Sequence, residues 1–136
     1  MRRYKCLMYP LVVAFMILIS GCSATVQRDS LKVDKALIGH WANTAGTLDY
    51  YFSDTALVKV EKGGTTTNMT YTIVKTNDTD NTITIQVNNP AGTVLEEDKK
   101  DIKFSTDKKT MTETVNVLGA KISEVNFNYV DSKTNP

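Results

Sequence analysis

Thr82-Ile83-Thr84-Ile85-Gln86-Val87-Asn88 is the stretch that decides the fold. Apolar and polar residues alternate along it without a break. Successive side chains of a strand point to opposite faces, so Ile83, Ile85 and Val87 form one apolar face opposite a polar one. The same period of two continues outward in both directions. Leu48, Tyr50 and Phe52 share a face, as do Val58 and Val60, then Met69, Tyr71 and Ile73; further on come Ile102 with Phe104, and Val125, Phe127 and Tyr129. Turn-forming residues separate these runs at Ser53-Asp54, Lys62-Gly63-Gly64, residues 77–81, Asn89-Pro90-Ala91-Gly92, residues 106–109 and Leu118-Gly119-Ala120. Connections this short join sequential neighbours. With one face apolar, the other wet and no long helix to cover the sheet, the pattern predicts an all-β domain. Its economical form is a small antiparallel up-and-down β-barrel of about eight strands, which buries one face and removes both edges. A two-sheet sandwich is the alternative that the same strands allow.

A faint echo runs through the strands. Phe52-Ser53-Asp54 before Val58-Lys59-Val60 is matched by Phe104-Ser105-Thr106-Asp107 before Met111-Thr112-Glu113, the same hairpin chemistry used twice.

Ahead of the strands the character changes. Residues 23–35 are polar and short of large side chains, which predicts a tether, with a brief helical turn capped by Asp29 or Ser30 and running toward Leu37. The start of the chain differs again. Arg2, Arg3 and Lys5 precede an apolar run from Leu11 to Ile19. This order is that of a secretory signal, and the run is shorter than the roughly 20 apolar residues a permanent span needs. Ile19-Ser20-Gly21-Cys22 then resembles a lipobox, the cleavage and lipidation site of bacterial lipoproteins. The resemblance implies cleavage between Gly21 and Cys22, a covalent lipid on Cys22 as the link to the membrane, and a position at the cell membrane facing out of the cytoplasm. Where the cell has two membranes, Ser23 in place of a retaining aspartate implies the outer one. The expected organisation is a signal peptide over 1–21, lipidated Cys22 and tether over 22–36, the barrel over 37–131 and a tail over 132–136.

Composition narrows the function. The leader holds three of the 16 basic residues and none of the 15 acidic ones, so the remainder carries 13 against 15, a net charge of −2. No basic patch favours nucleic acid, and no polybasic stretch favours an electrostatic membrane anchor. Cys6 leaves with the leader and Cys22 takes the lipid, so the domain is expected to have no disulfide, no thiol nucleophile and no cysteine metal ligand. With one histidine and no glycine-rich phosphate loop, no catalytic residue, metal site or cofactor is assigned, and an enzyme is the least favoured class.

Leu37-Ile38-Gly39-His40-Trp41 carries a second resemblance. Gly-x-Trp on a first strand, after a short helical turn and before a run of hairpins, is similar to the opening of lipocalins and their calycin relatives. The likeness implies that Trp41 plugs the closed end of the barrel while Gly39 admits close backbone packing, leaving the opposite end as the mouth. Lipocalins place a late arginine over that tryptophan; here the only arginine after the leader, Arg28, precedes the barrel. Residues 39–47, Gly-His-Trp-Ala-Asn-Thr-Ala-Gly-Thr, also resemble the first strand and turn of avidins, whose biotin is boxed by further tryptophans; Trp41 is the only one in this chain.

The remaining candidates are modest. His40 should point opposite to Trp41, as a solvated surface histidine. Residues 77–81 offer oxygens but lack the glycine and distal glutamate of a calcium loop, so a plain turn is expected. Glu96-Glu97-Asp98-Lys99-Lys100-Asp101 reads as a solvated hairpin end. Tyr50, Phe52, Tyr71, Ile83, Ile85, Phe104, Phe127 and Tyr129 are the inward set. They either fill the barrel or, with Ile102, line a pocket for a small apolar ligand or lipid, since eight strands enclose just enough width for one or the other. A tethered inhibitor or immunity-type protein, acting on an envelope protein partner through its loops and outer face, is the alternative function.

Overall fold

The computed structural model describes residues 27–88, 99–117 and 120–136. The expected leader, its cleavage residues Gly21 and Cys22, and the turn at Asn89-Pro90-Ala91-Gly92 lie outside these residues.

Eight antiparallel strands follow in chain order: β1 (Gly39–Asn43), β2 (Leu48–Phe52), β3 (Ala56–Glu61), β4 (Thr66–Asn77), β5 (Thr82–Asn88), β6 (Lys99–Phe104), β7 (Thr110–Val117) and β8 (Ala120–Asp131). Each pairs with the next, and β8 returns to β1, so the sheet closes as an up-and-down barrel rather than a sandwich. The closing register sets Trp41 against Tyr129 and His40 against Asp131. A short 3-10 helix (Arg28–Ser30) and α1 (Val33–Leu37) precede the barrel.

The interior follows the period of two where the strand is regular. Ile83, Ile85 and Val87 are all buried, with Tyr50, Phe52, Tyr71, Ile102, Phe104, Met111 and Phe127. Two strands break the expected phase. In β3 the buried residue is Leu57, opposite Phe52 on one side and Met69 on the other, while Val58 and Val60 lie on the outer wall. Leu57, Val58 and Val60 are apolar on both parities, so alternation alone does not choose; pairing with Phe52 does. In β4 a register shift between Ile73 and Lys75 interrupts the ladder. A bulge places an extra residue in one strand and turns its neighbours, and Ile73, expected inside with Tyr71, is 44% exposed beside Val74 at 54%.

The tether ends earlier than expected. From Arg28 the chain packs on the barrel, and Val33, Ala36 and Leu37 are buried in the same core as Trp41. The helical turn splits into two pieces at Leu31 and Lys32, and neither Asp29 nor Ser30 caps α1. That cap comes from elsewhere: the Val33 N–H donates to Asp78 Oδ1 at 2.9 Å, from the turn between β4 and β5.

The echo is structural. At each hairpin a serine hydroxyl oxygen accepts an N–H from the returning strand, Ala56 to Ser53 and Thr110 to Ser105, both at 3.1 Å.

Candidate functional site

The first strand runs away from α1, so the turns after β2, β4 and β6 share the end that α1 covers, and the turns after β1 and β3 lie at the other. The two ends differ in chemistry.

At the covered end Trp41 is wholly buried, and its indole N–H donates to the Leu37 carbonyl at 2.8 Å. Phe104 and Tyr129 pack on it with ring centroids 5.7 and 5.4 Å away. Gly39, at φ +126°, has no room for a side chain: a Cβ there would lie 2.7 Å from the Asp131 carbonyl oxygen and 2.8 Å from a Tyr129 ring carbon. Arg28 closes this end. Its guanidinium lies 3.4 Å from the Tyr129 ring centroid and 5.2 Å from that of Trp41, and it donates to the carbonyls of Ala36 and Lys108. Burial pulls the Arg28 pKa down, against a smaller opposite effect of Tyr129. The arginine over the tryptophan is therefore present, supplied from before the barrel. Lys108, buried at φ 53° in the turn after β6, returns the contact by donating from Nζ to the Asp29 carbonyl at 3.2 Å. Sequence gave no sign of it, because a turn lysine ordinarily faces water.

The expected pocket residues form a continuous packed set. Tyr50 stacks on Phe127 at 4.8 Å and meets Phe52 edge-on at 5.7 Å, and Phe52 meets Tyr71 at 5.6 Å. Ile83, Ile85 and Phe104 are buried among them, with Tyr129 partly buried beneath Arg28. The Tyr71 hydroxyl donates to the Ser53 carbonyl, and burial first, then the charges of Asp54 and Asp34, push its pKa up to about 12. Ile83 and Ile102 also border a groove of about 250 Å³ on the outer wall, where Thr84 already donates to Asp101 at 2.6 Å.

Away from α1 the inward positions become polar. The register places Lys59 beside Tyr50, Glu61 beside Leu48, and Lys100 beside Ile85. Glu113, between Ile102 and Val125, is 3% exposed. Lys100 Nζ donates to Glu113 Oε1 at 2.5 Å, and Lys59 pairs with Glu61 at 2.6 Å. Burial, then the nearby charge of Glu113, raise the Tyr50 phenol far above its ordinary pKa, although the Tyr50 hydroxyl makes no hydrogen bond to Glu113 Oε2. Glu113 Oε2 is buried and has no hydrogen-bond partner among the described residues. Lys100, expected in a solvated hairpin end, faces inward instead, as does Glu113, while residues 96–98 lie outside the described residues. Their phase was legible, because Lys100 keeps step with Ile102 and Phe104, and Glu113 with Met111.

The other candidates resolve as structure. His40 points away from Trp41 as expected, yet it is not a free surface group: its side chain is only 14% exposed and stacks on Tyr51 at 4.2 Å. Nε2 lies 3.1 Å from Asp49 Oδ1 and Nδ1 3.7 Å from Asp131 Oδ1, bridging the seam of β1 with β2 and β8. In the 77–81 turn, Asn77 Oδ1 accepts from the N–H groups of Thr79 and Asp80, while Asp78 holds α1. Asn43, the avidin-like position, accepts from the N–H groups of Thr47 and Leu48 and so secures the first turn. Asp101 accepts from Thr84 and Asn116 on the outer wall.

The geometry is thus a barrel sealed and ring-packed at one end and lined at the other by two ion pairs, with one buried carboxylate oxygen free to accept. No family model, curated protein or solved structure matches the chain.

Proposed function

We propose that this chain is an exported, lipid-anchored envelope protein that holds a small ligand in the open half of its barrel and performs no catalysis of its own. The anchor reading rests on the basic start, the apolar run and the lipobox-like Ile19-Ser20-Gly21-Cys22. The binding reading is carried by one observation, the change of lining along the barrel axis. Rings fill the covered half, whereas the open half interleaves Leu48, Val115 and Val125 with Lys59, Lys100 and Glu113. A few placed polar groups among apolar walls are what small-molecule sites are made of. The ligand therefore has an apolar part small enough to sit above Tyr50 and Phe127, not one that threads the whole barrel.

A second reading is favoured by Ile73 and Val74, adjacent and exposed at the bulge of β4. Adjacent exposed apolar residues suit a protein contact, and on that reading the domain is a tethered inhibitor or immunity-type protein.

Native mass spectrometry of the protein extracted from the cells that encode it separates these. The expected mass is that of residues 22–136 with a lipid on Cys22, lost in Cys22→Ser, accompanied by a small molecule released on gentle activation. An unprocessed, unlipidated mass would end the anchor reading. A lipidated protein that carries no small molecule but brings down a protein partner would replace the binding reading by the second one.

A further inference from the structure

We propose that Glu113 is the polar anchor of the ligand site, and that its free Oε2 accepts a hydrogen bond from an uncharged donor, a hydroxyl or a carboxamide, on a small amphiphile. This rests on the binding reading above and names the chemistry it selects.

Three observations carry it. A carboxylate that is 97% buried and leaves one oxygen unpartnered is costly, because an ionised acceptor removed from water loses strong hydrogen bonds that nothing replaces. The Tyr50 hydroxyl, the phenol nearest in the lining, makes no hydrogen bond to it, so the atom calls for a donor from outside the chain. Second, the charges around it already cancel. Among the described residues the charged side chains at inward positions in this half are Lys59, Glu61, Lys100 and Glu113, and they form two ion pairs, at 2.6 and 2.5 Å. A cationic head would lie beside Lys100 and an anionic one beside Glu113, so each would meet like charge in a poorly solvated place. A neutral donor satisfies Oε2 and leaves both pairs intact. Third, the walls beside the carboxylate are apolar. Val125 is opposite Glu113 on β8, Val115 is two residues along β7, and the Tyr50 ring, stacked on Phe127, forms the floor. Such walls are of the kind against which a short alkyl part packs.

The test uses four probes with one six-carbon tail and different heads: 1,2-hexanediol, hexanamide, hexanoate and hexylammonium. Each is titrated into the full chain in lipid nanodiscs while the methyl signals of Val115 and Val125 are followed by NMR. The diol and the amide are expected to bind at least about tenfold more tightly than the two charged probes, the scale of one hydrogen bond to a charged group. In Glu113→Gln, which offers an N–H where Oε2 accepted, that preference is expected to vanish while the remaining methyl spectrum stays in place. The selectivity in the unmodified chain is informative by itself, should the variant fold poorly. Equal binding of all four probes would overturn the neutral-donor inference and leave the binding reading standing. A preference that survives in a folded Glu113→Gln would remove Glu113 from the site. No shift with any probe would overturn both, and would leave Oε2 to a buried water.

Discussion

At the covered end the strands deliver Trp41, Phe52, Phe104 and Tyr129 to one packed layer, locked by Arg28 and α1; a few residues further along, the same strands deliver Lys59, Glu61, Lys100 and Glu113. The same eight strands run through both halves, so the contrast is carried mainly by their side chains. A domain without disulfides gains stability from buried apolar area, and here that area is concentrated at one end. The other end gives up apolar burial for ion pairs, which contribute little net stability when buried. The division suggests that one half is selected to hold the fold and the other to do something with it.

Substitutions can break or sharpen that contrast. The largest effect is expected at the covered end. Trp41→Ala removes the ring against which Phe104 and Tyr129 pack and should cost about 4 kcal/mol in denaturant melts, whereas Val115→Ala near the mouth should cost about 1 kcal/mol. Similar losses at both positions would dissolve the distinction between the halves.

Next in size is the buried pair. Lys100→Met leaves Glu113 charged and without its partner, and should destabilise by about 2 to 3 kcal/mol, somewhat less than a fully buried pair because Lys100 keeps some contact with water. Lys100→Met combined with Glu113→Leu should restore stability to within about 1 kcal/mol of the original chain. A double variant as weak as the single one would mean that the pair itself supports the barrel.

The smallest effect at neutral pH is that of Tyr71. Its pKa is raised in the folded state, so its contribution is fully present below the ordinary tyrosine value and is lost as the pH climbs from about 10 toward about 12. Stability against denaturant should therefore fall across that interval, and Tyr71→Phe should flatten part of the fall while changing little at pH 7. An equally steep alkaline loss in the variant would assign it to Tyr50 or to another group.

How far the sequence reaches differs between the two halves. Strand order, the turns and most of the ring layer are legible, because β5 alternates cleanly and each hairpin carries its own turn chemistry. Val58 and Val60 mislead because β3 is apolar on both faces, and Ile73 because a bulge is a property of pairing rather than of local pattern. Arg28 and Lys108, 80 residues apart in sequence, meet only after the barrel closes, so no local signal announces the contact. Lys100 and Glu113 fail for another reason. Their phase marks them as inward, but their charge argues for water, and composition outweighed position.

The Arg28 contact also defines a load path. A pull on the chain from its N-terminal side is taken first by the guanidinium against Tyr129 and the carbonyls of Ala36 and Lys108, which spreads the force over β8 and the β6–β7 turn before it reaches β1. The barrel is gripped like a cup by its base, and the end away from α1 stands outside that path.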